Sequence, residues 1–304
     1  MKIRSLALWL ATTLMFFAAH GYAEQAVQLA SVHVAVAPLE GGELQVAKHA
    51  DRQTPIASVT KLMTAMVVLD AQQDLNEWLV IRPREQQLDK SNWTRMRNQS
   101  EAKRGDLLHI ALMSSENIAC DVLARHFPGG LPAFVAAMND KAAALGMDDT
   151  QFFDPAGLSP NNQSTASDLV KMVRAAYQYD KIREVTTSTY RQVRFRKPGY
   201  SLQYGNTNPL VNSARWQVEL SKTGYLSEAG RCLVMVSEIN GEPTVLVLLD
   251  SLGTRSPLGD AARVRRWLEN GDPGVVAVGA RNYEYERSAA YRNETVLVQQ
   301  AHQQ

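Results

Sequence analysis

Pro55-Ile-Ala-Ser-Val-Thr-Lys-Leu-Met-Thr-Ala-Met-Val-Val-Leu69 is the stretch from which the rest of the chain is best read. From Ser58 to Ala71 it has no glycine or proline, and Leu62, Met63, Met66, Val67 and Leu69 are apolar. The pattern predicts a helix over 58–71, buried on most sides. One cation, Lys61, sits inside that apolar run. Positions i and i+3 share a helix face, so the Lys61 amine reaches the Ser58 hydroxyl. A serine hydroxyl is a weak nucleophile at its free pKa and needs a base beside it. Lysine serves when burial or neighbouring positive charge lowers its pKa. The positive end of the helix favours negative charge developing on Ser58. A serine cap followed by a surface lysine is the ordinary alternative, and the apolar setting of Lys61 argues against it.

Two further motifs follow in order. Ser115-Glu116-Asn117 offers a hydroxyl suited to relaying a proton and an amide suited to holding a substrate amide through its donor and its acceptor. Glu116, between them, is expected to point away. Plain helix capping by Ser114 or Ser115 is the bland reading of the same residues. Lys222-Thr223-Gly224 places a cation and a hydroxyl where they suit a substrate carboxylate, and a glycine that permits close approach of backbone or ligand. The bland reading there is a turn after a strand. The backbone N–H groups of Ser58 and Tyr225 are candidates for an oxyanion hole.

Outward from these motifs, Ser31–Ala37 and Glu43–Ala47 read as two strands joined at Gly41-Gly42. Residues 106–127 and 131–145 read as helices, and Ser167–Tyr179 begins another. Three strands follow, 216–220, 232–237 and 244–249, the last two joined by Asn240-Gly241, the dipeptide favoured in type I′ hairpins. A helix over about 258–269 comes next, and Tyr283–Gln304 reads as a polar, frayed tail. The order strands, helices, strands, helix predicts a mixed α/β fold, a sheet covered by helices with a helical insertion between its parts. No internal repeats are found.

Composition narrows the function. The chain has 304 residues, 45% hydrophobic and 21% charged, with a net charge of +1. Without a basic excess or stripe, nucleic acid is not the expected partner. Lys2 and Arg4, the apolar run Leu6–Ala19 and the small residues of Gly21-Tyr22-Ala23 read as an export signal over 1–23. The run is too short for a confident membrane span, and no strongly amphipathic C-terminal anchor is visible. Without residues 1–23 the chain keeps 30 basic and 31 acidic residues. Cys120 and Cys232 read as two buried thiols rather than a disulfide framework.

Ser-x-x-Lys, Ser-Glu-Asn and Lys-Thr-Gly together resemble the triple signature of penicillin-binding proteins and class A β-lactamases, with Glu116 where Asp often stands. The surroundings Pro55–Ala65, Phe153-Asp-Pro-Ala-Gly-Leu158, Ser164-Thr-Ala-Ser-Asp168 and Leu220-Ser-Lys-Thr-Gly-Tyr225 resemble the low-molecular-mass D-alanyl-D-alanine carboxypeptidases and endopeptidases over roughly residues 30–270. The resemblance implies the β-lactamase/transpeptidase-like fold, with an antiparallel sheet flanked by helices and a mainly helical subdomain. It implies a signal over 1–23, a catalytic domain over 24–270 and a polar extension over 271–304. It further implies an acyl-enzyme on Ser58, peptidoglycan stem peptides and cross-bridges as substrates, β-lactams as covalent inhibitors, a periplasmic location, and neither metal nor organic cofactor. The apparent lack of a second domain and the overall likeness favour an endopeptidase over a carboxypeptidase.

Rival readings fare worse. A class A β-lactamase needs an added glutamate in a Glu-x-x-x-Asn pattern to deacylate quickly. Between Asn117 and Lys222 only Glu184 and Glu219 occur, with Ser188 and Thr223 four residues on. A non-catalytic binder is at odds with three intact motifs. The histidines show no paired metal-ligand spacing, and no Gly-x-Ser-x-Gly elbow exists for a histidine-based triad.

Overall fold

The computed structural model describes residues 26–82 and 94–301; the expected export signal at 1–23 lies outside them. In chain order the elements are β1 (His33–Pro38), β2 (Val46–Lys48), β3 (Thr54–Pro55), α1 (Lys61–Asp70), β4 (Trp78–Val80), β5 (Glu101–Lys103), α2 (Arg104–Met113), α3 (Asn117–Arg125), α4 (Gly130–Ala144), β6 (Gln163–Ser164), α5 (Ala166–Tyr177), α6 (Asp180–Thr187), β7 (Tyr190–Phe195), β8 (Tyr200–Gly205), β9 (Val218–Leu226), β10 (Gly230–Ile239), β11 (Glu242–Ser251), α7 (Ser256–Asn270) and α8 (Val278–Ala301).

Five strands form one antiparallel sheet in the order β2-β1-β11-β10-β9. The first and last strands of the chain thus meet in the middle, and the helical part is looped out between them. Asn240 and Gly241, both at positive φ (54° and 79°), turn β10 into β11, as type I′ geometry requires. The strands are apolar on both faces because both faces are covered. Val34, Val36, Leu233, Met235, Leu246 and Leu248 pack with Ala261 and Val264 of α7. The alternating residues Ala35, Ala37, Val234, Val236, Val245 and Val247 join the larger core that holds α1 to α5. Sheets covered on both sides read as near-continuous apolar runs, which is why these strands were plain in the sequence.

Helix α1 is the axis of the helical part, with every residue from Lys61 to Val68 buried. Three expectations need correction. The helix expected over 106–127 is two helices, α2 and α3, broken at Ser114–Glu116, because Ser115 takes a left-handed φ of 61° that a helix interior does not admit. The hairpin β7–β8 was not foreseen; its strand β7 alternates polar and buried residues only over Val193 to Phe195, too briefly for a clear period-two signal. The tail expected to fray from Tyr283 is instead part of α8. Tyr283, Arg287 and Tyr291 stand at i, i+4 and i+8 on one helix face and all bond the buried Asp250 carboxylate, at 2.6, 2.7 and 3.2 Å. Arg287 also donates to the Glu228 carbonyl at 2.9 Å. Polar anchors of this kind leave no trace in hydropathy. Among the described residues no helix is long and apolar enough to cross a membrane.

Candidate active site

Ser58 does not lie in α1 but in a single 3-10 turn, Ala57–Thr60, that leads into it. Ala57 holds a φ of 47°, a conformation a residue with a Cβ adopts at some cost, and this bends the chain so that Ser58 faces a cleft. Lys61 opens α1 and is fully buried. Its Nζ lies 2.7 Å from Ser58 Oγ, 2.8 Å from Asn117 Oδ1 and 2.6 Å from the Ala156 carbonyl oxygen. The two carbonyl oxygens only accept, so each takes an N–H from Lys61. The hydroxyl of Ser58, unlike these two oxygens, carries a proton. Lys61 Nζ donates to the Ser58 oxygen, and once the amine is neutral the same 2.7 Å contact lets its lone pair take the Ser58 proton.

The Ala156 carbonyl is held by its own loop. Asp154 is buried, and its carboxylate accepts the backbone N–H groups of Ala156 (2.7 Å), Gly157 (2.8 Å), Leu158 (3.2 Å) and Ser159 (2.7 Å). Asn162 accepts from the N–H groups of Phe153 and Asp154 and donates to the Asp154 carbonyl and the Thr60 hydroxyl. Thr64 of α1 donates to the Pro155 carbonyl at 2.6 Å. Gly157, at a φ of 74°, lies so close to the nucleophile turn that a Cβ there would stand 1.9 Å from the Ala57 oxygen. The loop and the Ser58 turn are one rigid unit.

The second motif sits at the α2–α3 break. The strained Ser115 turns its hydroxyl toward β9, where Lys222 Nζ donates to it at 2.9 Å. Glu116 is not among the residues that line the cleft. It caps α3 by accepting the Ile118 N–H at 3.3 Å, and burial pushes its carboxyl above the usual range. The Asn117 oxygen already accepts from Lys61, which leaves its NH₂ and a second lone pair on that oxygen for a ligand.

Strand β9 is an edge of the sheet, so half of its backbone N–H groups are not used by β10. Lys222 on this strand is 1% exposed and also donates to the Thr223 carbonyl at 2.7 Å. Burial, and then the Lys61 charge, hold its pKa well below the ordinary lysine range. Gly224 packs on the nucleophile turn, where a Cβ would lie 3.1 Å from the Ser58 nitrogen. Thr223 donates to the Thr207 hydroxyl at 2.7 Å.

These groups open on a cleft of about 420 Å³ that brings together Ser58, Ser115, Asn117, Thr223, Gly224 and Tyr225. All eight expected site residues are accounted for, with Lys61 and Lys222 beneath its floor. Thr207, Arg231 and Arg255 also line it and were not foreseen. Arg231 stacks its guanidinium 3.9 Å from the centre of the Tyr225 ring. Arg255 stands at the start of α7. Arg231 stands on β10, and the packing of α7 beside β10 brings Arg255 to the cleft. Cys120 and Cys232 are buried thiols not joined in a disulfide, as expected; burial raises Cys232 to about 12.

Comparison with known proteins agrees with this geometry. A family profile described as D-alanyl-D-alanine carboxypeptidase matches residues 20–253. The chain is 44% identical over 260 residues to a D-alanyl-D-alanine endopeptidase of Pseudomonas aeruginosa, covering 86% of this chain and 84% of that protein. It is 42% identical over 262 residues to one of Escherichia coli, with the same coverage, 86% and 84%. In three dimensions it is similar to a Streptomyces DD-transpeptidase, with a TM-score of 0.75 at 23% identity over 81% of this chain and 99% of the other. That likeness establishes the fold, the β-lactamase/transpeptidase-like arrangement expected from the motifs.

Proposed function

This chain belongs to the D-alanyl-D-alanine carboxypeptidase family of serine peptidases, and from that membership we propose how its residues divide the work of cutting a D-alanyl amide. The observation that carries the reading is the three-way contact of buried Lys61. In its neutral form Lys61, donating to Asn117 and Ala156, takes the Ser58 proton through its lone pair. Ser58 attacks the D-alanyl carbonyl, and the N–H groups of Ser58 and Tyr225 receive the oxyanion. Losing one such donor costs about 2.7–4 kcal/mol in enzymes of this kind. The Ser115 hydroxyl, which accepts from Lys222, relays to the departing amine the proton that Lys61 took from Ser58. The Asn117 NH₂ holds the substrate amide, and water then hydrolyses the acyl-enzyme.

The leaving residue carries a carboxylate beside the scissile amide, whether it is D-alanine or the D-centre of a diaminopimelate. Thr223 faces that carboxylate, and Lys222 supports it from beneath the cleft floor. Arg255, which lines the same cleft, supplies a permanent cation for it. Charged hydrogen bonds of this type are worth about 1.5–3 kcal/mol. Arg255→Ala is accordingly expected to lower kcat/KM for such substrates about 10- to 100-fold, mostly through KM, while a substrate amidated at that carboxylate loses little. Equal losses on both substrates would remove Arg255 from this role.

We assign the cross-link as the substrate. The two relatives with the highest identities given above carry the name endopeptidase, and in both cases the alignment spans most of each chain. We read 1–23 as an export signal that sends the enzyme to the periplasm, 24–270 as its catalytic unit and 271–304 as an extension. Penicillin should leave its adduct on the peptide containing Ser58, found by mass spectrometry and absent from Ser58→Ala. Incubation with a cross-linked muropeptide dimer and with a monomeric pentapeptide separates the two activities. Shortening of the pentapeptide alone would make the enzyme a carboxypeptidase.

A further inference from the structure

A second cleft, of about 650 Å³, lies against the N-terminal half of α2, where Gly105, Asp106 and His109 line it. Ser115 follows the opposite end of that helix, and ten residues of helix span about 15 Å. The cleft is therefore separate from the Ser58 site but on the same element.

Its lining is strongly cationic in a chain whose net charge is only +1. Lys103, Lys181, Arg191, Arg194 and Arg196 contribute to it, and Asp106 is the one carboxylate among the lining residues. Part of this charge is spent locally. Arg191 pairs with Asp106 at 2.5 Å, Lys181 with Glu184 at 2.9 Å, and Arg196 with Glu101. Among the described residues Lys103 and Arg194 have no carboxylate partner. Lys103 donates only to the Asn76 amide oxygen at 3.2 Å, and Arg194 is exposed on β7. Trp78 sits between cations, with the Arg196 guanidinium 4.3 Å and the Lys103 amine 6.0 Å from its ring centre.

His109 supplies a second, independent observation. It is 4% exposed, and its Nε2 is buried with no hydrogen-bond partner among the described residues. An orphaned polar atom at the wall of a cleft is costly unless something that enters satisfies it. Burial, then the charges of Arg191 and Lys181, lowers His109 to about 4. It is neutral at ordinary pH and offers a hydrogen bond rather than a charge.

We propose that this cleft is a second, non-catalytic binding site for carboxylate-bearing peptide stems of the same wall polymer whose cross-link is cut at Ser58. The inference rests on the function proposed above. Guanidinium forks match carboxylates in a bidentate manner. A polymer with ionised stems at regular intervals can occupy both sites of one enzyme, and the second contact raises the effective concentration of the first. A soluble dimer, one cross-link long, gains nothing from it.

The test uses the full chain and the pair Lys103→Glu with Arg194→Glu, backed by the milder Lys103→Gln with Arg194→Gln. Unchanged penicillin labelling at Ser58 certifies folding. Co-sedimentation with purified insoluble peptidoglycan is expected to weaken about tenfold or more in the charge-reversed pair, and partly in the neutral pair, with a salt dependence that the wild type shows and the variants lose. Cleavage of insoluble peptidoglycan should fall in step, while cleavage of the soluble dimer stays within about twofold. Equal sedimentation of wild type and both variants overturns the proposal. Binding lost from phosphatidylglycerol vesicles but kept on peptidoglycan also overturns it, in favour of a lipid headgroup. If the wild type leaves the soluble dimer intact, the proposed function fails, and sedimentation still decides the cleft separately.

Discussion

Lys61→Ala is expected to slow acylation of Ser58 by penicillin by about 10⁴-fold or more, the scale at which a member of a nucleophile–base unit is lost in other serine hydrolases. The reason is local. Among the described residues the Ser58 hydroxyl has one bonding partner able to take its proton, and that partner is the buried Lys61 amine at 2.7 Å. Alanine leaves the Asn117 and Ala156 oxygens without their donor and leaves Ser58 at its free, weakly nucleophilic state. Lys61→Arg is the sharper control. Arginine keeps the charge and the donors but does not give up its proton in a protein. If Lys61 acts as a base, the arginine variant is as slow as the alanine variant. If Lys61 serves only as a positive charge, arginine restores much of the rate. Time-resolved labelling with a fluorescent penicillin reads both variants, and recovery of more than about a tenth of the wild-type rate by Lys61→Arg would remove the base from the mechanism.

How much of this was legible in the sequence follows from the kind of signal each feature leaves. Ser58 with Lys61 was visible because a cation inside an apolar helix is anomalous. The central strands were visible because both faces are apolar, and Asn240-Gly241 because only such dipeptides suit that turn. Gly224 was understood as a point of close approach, and the turn carrying Ser58 does pack there. What stayed hidden depends on contacts between distant parts of the chain. Arg255 reaches the cleft only because α7 packs beside β10. The anchoring of α8 depends on three polar side chains converging on one carboxylate. The break at Ser115 is a backbone strain with no compositional marker, for no glycine or proline stands there. The lowered pKa of Lys222 comes from its burial, which a motif cannot express. Asp154 was quoted as part of a family resemblance, but its task is visible only when four backbone N–H groups are seen to meet on it.

That task leads to the second large effect. Asp154→Ala is expected to cost about 3–5 kcal/mol of stability, the range seen when one partner of a buried charged network is removed. It is also expected to reduce penicillin acylation of the molecules that remain folded by about 10²-fold or more, as a small misplacement in a catalytic constellation does. The carboxylate accepts the N–H groups of Ala156, Gly157, Leu158 and Ser159, the longest at 3.2 Å. Without it these buried donors are orphaned, and the loop is free to move away from the Ser58 turn. The carbonyl of Ala156 moves with the loop, and with it one of the two acceptors that orient the Lys61 lone pair. Asp154 touches no substrate, so it is a positioning residue. Stability and positioning are separable, since denaturation gives the folded fraction and the labelling rate is then taken per folded molecule. Asp154→Asn keeps one acceptor oxygen, enough for some of the four donors, and is expected to recover part of both losses. Were Asp154→Ala to label Ser58 at the wild-type rate per folded molecule, the Ala156 carbonyl would not be needed to aim Lys61, and the orientation of its lone pair would have to come from Asn117 alone.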